Sequence, residues 1–109
     1  MKKILSLFVF PIMCIASEMD LFSNIHKAWD MFQQEMKVES IDYITDLIEN
    51  FEVSQREKFH YLYVRSAFYT ETFQYDKAWE DREKFKEIWY QNPNLSEEFF
   101  EIYHYKFPY

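Results

Sequence analysis

Apolar residues recur every three or four positions from about residue 18 onward, which is the spacing of amphipathic helices. The chain contains no glycine, and the stretch 18–92 also lacks proline. Tight β-hairpin turns depend on glycine, alone or paired with asparagine or aspartate, so this composition disfavours an antiparallel sheet. The pattern predicts an all-α fold of about five helices, in which short polar turns join antiparallel helical hairpins and a C-terminal helix caps them.

Polar residues bound the first three predicted helices. Periodicity places the first helix over about 19–36. Ser40 is predicted to be the N-cap of the second helix, whose apolar face includes Phe51. Ser54 and Glu57 have the spacing of a capping box, in which each side chain accepts from the other residue's main-chain N–H. This pair predicts the start of a third helix.

A proline separates the last two predicted helices. The third helix is expected to keep an apolar side as far as Phe73, and a polar break over 72–76 leads into the fourth helix. Pro93 ends the fourth helix because the residue before a proline avoids helical backbone angles. Ser96 is followed by two glutamates, which favour the positive end of a helix dipole. Ser96 is therefore the predicted N-cap of a final helix that reaches about Tyr105.

The first 16 residues have the organisation of a secretory signal peptide. Two lysines precede an apolar run of about a dozen residues, which is shorter than the roughly 20 residues of a membrane-spanning helix. Cys14 and Ala16 occupy the small-residue positions of a cleavage site. The sequence therefore predicts a signal peptide over 1–16, a single helical domain over 17–109, and a periplasmic or secreted protein. The alternatives are an uncleaved N-terminal anchor, a buried hydrophobic strand, and a lipoprotein modified at Cys14.

Cleavage after residue 16 would change the composition of the working protein. It would leave ten basic against 19 acidic residues, a formal charge of −9, and 22 aromatic residues in a cysteine-free chain of 93. Disulfides and thiolate chemistry are then excluded. This charge disfavours nucleic acids and anionic membranes, which select clustered lysine and arginine. We expect a basic protein or peptide as the partner, no cofactor, and no stable membrane anchor after cleavage.

One segment has a more specific pattern than helical periodicity. Ser66 is a small residue in the third helix with Tyr69 three residues later, Tyr75 is an aromatic residue at the turn, and Ala78 is a small residue in the fourth helix. Small residues at these places let two helices pack closely, while the aromatic side chains fill the hairpin. With this spacing the segment 60–93 resembles one degenerate tetratricopeptide repeat, a helix–turn–helix unit of about 34 residues.

The segment departs from the family pattern at three positions. Phe73 stands where the family's turn has glycine, Phe85 replaces the second alanine, and Pro93 falls about three residues late. The preceding hairpin, over about 19–50, matches only in its helix spacing and has Ile41 where alanine is expected. A plain helical bundle is therefore the alternative fold.

The resemblance also implies a binding site. The first helices of tetratricopeptide repeats line a concave groove that binds peptides, so residues of the first and third predicted helices would face the partner. The corresponding partner-binding positions are Asp30, Gln33, Gln34, His60, Tyr63, Ala67, Thr70 and Glu71.

Candidate catalytic and metal-binding groups are sparse. Three histidines each have a carboxylate three or four residues away, which places both groups on one helix face. None has the second histidine of a zinc motif, so we expect neither a metal site nor an enzyme. The three pairs are His26 with Asp30, Glu57 with His60, and Glu101 with His104.

The C-terminal tail 99–109 is aromatic on more than one side of a helix. Either it folds back over the bundle or it forms a partner surface, including a homodimer interface. Together these features predict an exported, acidic, helical protein-binding module. A more specific hypothesis is an inhibitor or immunity-type protein. The alternative is a small metal- or carboxylate-dependent periplasmic enzyme that uses His26 with Asp30 or His60 with Glu57.

Overall fold

The computed structural model describes residues 20–103, apart from the side chain of residue 100, and these residues form five helices. No strand occurs within that range. The predicted all-α fold of antiparallel hairpins with a C-terminal capping helix is therefore confirmed. The predicted signal peptide and residues 104–109 of the tail lie outside the described residues. The helices are α1 (20–33), α2 (Lys37–Glu49), α3 (Gln55–Glu71), α4 (Tyr75–Gln91) and α5 (Leu95–Tyr103).

The first helix ends three residues earlier than predicted. α1 stops at residue 33, and Glu35 adopts a left-handed backbone conformation with a φ of 67°. The main-chain N–H groups of Glu35 and Met36 donate to the carbonyls of Phe32 (3.3 Å) and Met31 (3.0 Å), respectively. These two bonds form a Schellman motif, which satisfies the last carbonyls of a helix. Because glycine usually holds the left-handed position, a glycine-free sequence gives no signal for this helix end.

The second helix starts earlier than predicted. It begins at Lys37 with Met36 as the N-cap, so the prediction that Ser40 caps it is wrong. Ser40 is fully buried inside the helix, and its hydroxyl donates to the carbonyl of Lys37 (2.8 Å). α2 also ends at Glu49, which leaves Phe51 beyond the helix and 54% exposed instead of on its apolar face.

The predicted start of the third helix is confirmed. The Ser54 hydroxyl accepts a hydrogen bond from the Glu57 main-chain N–H (3.1 Å), and the Glu57 carboxylate accepts one from the Ser54 N–H (3.0 Å). Both halves of the capping box are therefore present. Glu57 is buried in this role. Its carboxylate stabilises the helix start and does not contact His60 as the sequence pairing suggested.

The turn between α3 and α4 is shorter than the predicted polar break. Only residues 72–74 separate the two helices, and Phe73 has a φ of 64°. The N–H groups of Phe73 and Gln74 donate to the carbonyls of Thr70 (3.1 Å) and Tyr69 (2.8 Å), which gives a second Schellman motif. Phe73 is 78% exposed at this turn, so the prediction that it belongs to the apolar side of α3 is wrong.

The final helix begins at Leu95, which corrects the prediction that Ser96 is its N-cap. Ser96 lies in the first helical turn instead, and its hydroxyl donates to the carbonyl of Pro93 (2.9 Å). The hydroxyl thus bonds a carbonyl that precedes the helix, whereas an N-cap would accept from an N–H inside it. The predicted end of the helix near Tyr105 lies outside the described residues.

Contacts between the helices fix their directions. Asn24 contacts Tyr61 and Phe32 contacts Phe68, at nearly constant separations of 37 and 36 residues, so α1 is parallel to α3. The contacts of α3 with α5 also keep a constant separation of 40 residues, which makes those helices parallel; they join Phe59 to Phe99 and Tyr63 to Tyr103. α2 and α4 both pack against α3 and are connected to it by short turns, so each is antiparallel to it.

The two hairpins repeat with a period of 38 residues. Their left-handed turn residues, Glu35 and Phe73, are 38 positions apart and close the same pair of hydrogen bonds. In the first hairpin the repeat pattern predicts the small residue at position 41, which is Ile41, but the buried small residue is its neighbour Ser40. The buried small residues that share the 38-residue spacing are Ala28 with Ser66 and Ser40 with Ala78.

Two apolar clusters form the core, one for each hairpin and its neighbour. The first joins α1, α2 and α3, and there the ring of Phe32 stacks on that of Phe68 with centroids 4.4 Å apart. The second joins α3, α4 and α5 around Phe59, Phe85 and Phe99. Because α3 contributes to both clusters, it is the central helix, and α1 and α5 flank it.

Candidate binding groove

An open groove lies between α1 and α5, the two helices that flank α3. Its volume is about 620 Å³, which falls within the range of ligand-binding clefts. We call it the α1–α5 groove. It is lined by Phe22, Ile25, His26 and Trp29 of α1 and by Glu98, Glu101, Ile102 and Tyr103 of α5.

The α1 wall is a single helical face, because its residues are three or four positions apart. Ile25 is buried and Phe22 is 45% exposed, so this wall extends from the core to the solvent-exposed edge of the groove. The Trp29 ring packs edge-on against Phe68 of α3, with centroids 4.8 Å apart. Packing therefore holds this wall in place, while its outer part presents apolar surface to the groove.

A polar network attaches the α5 wall to α3. The two carboxylate oxygens of Glu98 have different partners: Oε2 accepts from Arg56 Nε (2.7 Å), and Oε1 lies 2.8 Å from His60 Nε2. The Tyr103 hydroxyl lies 3.4 Å from the other ring nitrogen of His60. His60 is fully buried, so these contacts exclude water from one side of the network.

The surroundings of Glu98 and Tyr103 shift the pKa values of both groups. Hydrogen bonding to His60 holds the pKa of Glu98 below its usual value, and the Arg56 bond adds to this effect despite the opposing cost of burial. Burial, with the Glu98 charge as a lesser cause, raises the pKa of Tyr103. Glu98 is therefore ionised at neutral pH and Tyr103 keeps its proton. The ionised carboxylate of Glu98 accepts a hydrogen bond from His60 Nε2, and the Tyr103 hydroxyl lies on the opposite side of the same ring, at Nδ1.

The partner-binding residues predicted on α3 are divided between two places. Tyr63, Ala67, Thr70 and Glu71 line a second open groove, of about 390 Å³, together with Arg82 and Phe85 of α4. We call this the α3–α4 groove. His60 does not line it, because its side chain is buried against α5.

The three residues predicted on the first helix lie beyond the α1–α5 groove. Asp30 and Gln33 belong to the end of α1, whereas Gln34 follows the helix. None of them lines the groove, although the Asp30 carboxylate lies 3.3 Å from the ring of His26, which does. The partner-binding role of all eight sequence-derived positions stays a prediction.

The sequence alone does not show that the apolar residues of α1 line a groove. The apolar spacing of Phe22, Ile25 and Trp29 is the same for a covered and an uncovered helix face. One available signal was the C-terminal helix, whose apolar residues occupy more than one side. Such a helix cannot bury every apolar side chain against a single neighbour, and Ile102 and Tyr103 of this helix line the groove.

The histidine–carboxylate pairs form no metal centre in the described part of the chain. Within residues 20–103, no three histidine, cysteine or acidic side chains are placed to hold a metal ion. The contact of His26 with Asp30 is exposed, and His60 contacts Glu98 instead of Glu57. His104 lies outside the described residues. None of the helices in the described range has the length and apolar character needed to cross a membrane.

Comparisons with known proteins identify no relative of this chain. A scan against protein-family models, a search of curated proteins and a search of solved structures each find no match to this chain. The geometry of the two grooves is therefore the basis for any functional proposal.

Proposed function

We propose that this protein is a small exported binding module that holds a segment of a basic protein or peptide in the α1–α5 groove. The observation that carries the proposal is the groove itself, an open cleft between two helices with aromatic and aliphatic walls. Grooves of this kind accept an amphipathic segment by burying its apolar side chains. No described part of the chain fills the cleft.

The lining of the groove suits protein recognition. Phe22, Trp29 and Tyr103 provide aromatic surface, and aromatic residues carry much of the binding energy at protein interfaces. Trp29 packs against Phe68 and Phe32, so its position is set before a ligand arrives. A preformed wall lowers the entropy cost of binding.

Charge selects a basic partner. The chain has a formal charge of −7, and the α5 wall places an exposed Glu101 in the groove together with its apolar side chains. A negative surface of this kind accelerates association with cations and opposes anionic partners. The most specific version of this proposal is that the protein is an inhibitor or immunity-type protein for a basic toxin or hydrolase.

The tetratricopeptide-like character and the export are parts of the same proposal. The parallel course of α1, α3 and α5 and the 38-residue period support a stack of related hairpins. The signal-peptide pattern of residues 1–16 supports export. Expression in a Gram-negative host followed by N-terminal sequencing tests the export: we expect Ser17 as the first residue, and an intact Met1 in the cytoplasmic fraction would contradict it.

Peptide titration tests the binding role. The probe is a fluorescent amphipathic peptide made of leucine and lysine pairs, and its counterpart with glutamate in place of lysine is the charge control. We expect the lysine peptide to bind and the glutamate peptide not to bind. Glu101→Lys in the groove should weaken binding at least tenfold at low ionic strength, whereas the same charge change at the exposed Glu80 of α4 should have a much smaller effect. Equal losses in the two variants would show that binding is not located in the groove.

A further inference from the structure

The two carboxylates that line the α1–α5 groove have different surroundings. Glu98 uses both of its oxygens within the protein, at 2.7 Å from Arg56 and 2.8 Å from His60. Glu101 lies one helical turn further along the same wall and is exposed. Within the described part of the chain, no ion pair or hydrogen bond involves its carboxylate. The groove thus contains one internally neutralised carboxylate and one that remains open to a ligand.

The facing wall supplies no competing partner for Glu101. Its ionisable residue in the groove is His26, whose ring contacts Asp30 on the same helix (3.3 Å). The arginine of the network, Arg56, bonds Glu98 and lies over the Phe22 ring, 5.7 Å from its centroid. Among the described residues that line the groove, Glu101 is therefore the carboxylate that has no partner within the protein.

Aromatic side chains line the same groove as this carboxylate. Trp29 and Tyr103 line the same groove as Glu101, on opposite walls. A long cationic side chain is suited to such a place, because its methylene stem packs on apolar rings while its charged end reaches an acid at the rim. The cation also gains from the aromatic faces. An uncharged side chain of the same length would gain only from the packing.

We infer that Glu101 recognises a lysine or arginine side chain of the bound segment, and that Glu98 is a positioning residue which holds the α5 wall against α3. This inference rests on the proposed function, since it assumes that the groove binds a segment. It adds the chemistry of one ligand residue: a lysine or arginine flanked by apolar residues. It also gives the two glutamates of α5 different roles: Glu101 binds the ligand, and Glu98 positions the helix.

A norleucine scan of the leucine–lysine peptide tests the inference. Norleucine keeps the aliphatic length of lysine and removes its charge. We expect one lysine position at which norleucine weakens binding to the unmodified protein about tenfold at low ionic strength, and less as salt is added. In Glu101→Gln this difference should disappear. Glu97→Gln, a change of another exposed acid of α5 outside the groove, should leave it intact.

Glu98→Gln should behave differently from both variants. Because it loosens the α5 wall, it should weaken the lysine and norleucine peptides by a similar factor and lower the unfolding midpoint, whereas Glu101→Gln leaves that midpoint unchanged. If lysine and norleucine peptides bind the unmodified protein equally well, the inference is overturned while the binding function stands. A lysine preference that survives in Glu101→Gln overturns the role of Glu101. If no peptide binds at low salt, the proposed function itself is overturned.

Discussion

At the residue scale, Glu35 and Phe73 hold the left-handed backbone conformation that glycine usually supplies. Each closes a Schellman motif at the end of the first helix of its hairpin. A side chain at this position costs about 1–2 kcal/mol in steric repulsion. Phe73 recovers little of that cost through packing, since it is 78% exposed and its ring meets only the edge of Tyr75 among the ring contacts of the described residues.

Phe73→Gly should therefore raise the free energy of unfolding, by about 0.5–1 kcal/mol after the greater backbone entropy of glycine in the unfolded chain is subtracted. Urea titration measures the change. Phe73→Ala is the matched control, because it removes the ring but keeps the Cβ that causes the repulsion. Alanine should give no comparable gain, and a glycine variant less stable than the parent would refute this account of the turn.

Glu98 gives a second prediction at the residue scale. Its pKa in the folded protein lies below the ordinary value of 4.5, so it contributes stability above that value and loses it as the pH falls through the folded pKa. Glu98→Gln should lower the free energy of unfolding by about 1–3 kcal/mol near neutral pH, because charged hydrogen bonds to His60 and Arg56 are lost.

The pH dependence is the decisive readout for Glu98. Urea titrations from about pH 7 down to about pH 3 should show the parent and Glu98→Gln curves converging below the ordinary carboxylate pKa. Near neutral pH, Glu101→Gln should match the parent in its free energy of unfolding, because the Glu101 carboxylate makes no ion pair within the described residues. A constant gap between parent and Glu98→Gln across the acid range would contradict the assigned ionisation of Glu98.

At the element scale, a buried ion pair joins α3 to α4, and its arginine also bonds α2 of the preceding hairpin. The guanidinium of Arg65 on α3 donates two bonds to the Asp81 carboxylate on α4, at 2.8 and 2.7 Å, and a third to the Thr45 hydroxyl on α2 at 3.2 Å. Both charged side chains are nearly inaccessible to solvent, at 9% and 2% exposure. The pair thus fixes how α2 and α4 are placed on α3.

Removing one partner of this pair should be costly. Asp81→Ala leaves the Arg65 charge buried and unpaired, and we expect the free energy of unfolding to fall by about 3–5 kcal/mol. Thermal or urea unfolding measures this loss. The double change Arg65→Met with Asp81→Leu removes both charges and should recover most of the stability. If the double variant is as unstable as the single one, the loss comes from packing and not from the unpaired charge.

Local signals predicted some element boundaries and missed others. Ser54 and Glu57 lie three residues apart, so their reciprocal capping bonds are readable from sequence. The end of α1 could not be predicted, because a Schellman motif without glycine has no characteristic residue in the sequence. The sequence predicts Ser40 as an N-cap because serine is common at N-caps. In the structure Ser40 is instead a small buried residue within α2. Composition alone does not distinguish those two uses of serine.

At the scale of the whole molecule, the groove results from how five short helices are stacked. Helical periodicity predicts which residues share the apolar face of each helix. The groove depends on which of those faces no other helix covers. That is decided by long-range contacts such as His60 with Glu98, which are 38 residues apart. The resemblance to a repeat predicted His60 as a surface residue, while the position of α5 buries it. The fold class was therefore predictable, and the site was not.

The central claim is that the α1–α5 groove binds a basic amphipathic segment, and NMR titration tests it most directly. The indole N–H signals of Trp29, in the groove, and Trp79, exposed on α4, serve as reporters in one sample. On addition of the leucine–lysine peptide, we predict saturable shifts for Trp29 and for the amides of α1 and α5, with Trp79 unchanged. Shifts confined to Trp79, or spread evenly over the molecule, would contradict the claim.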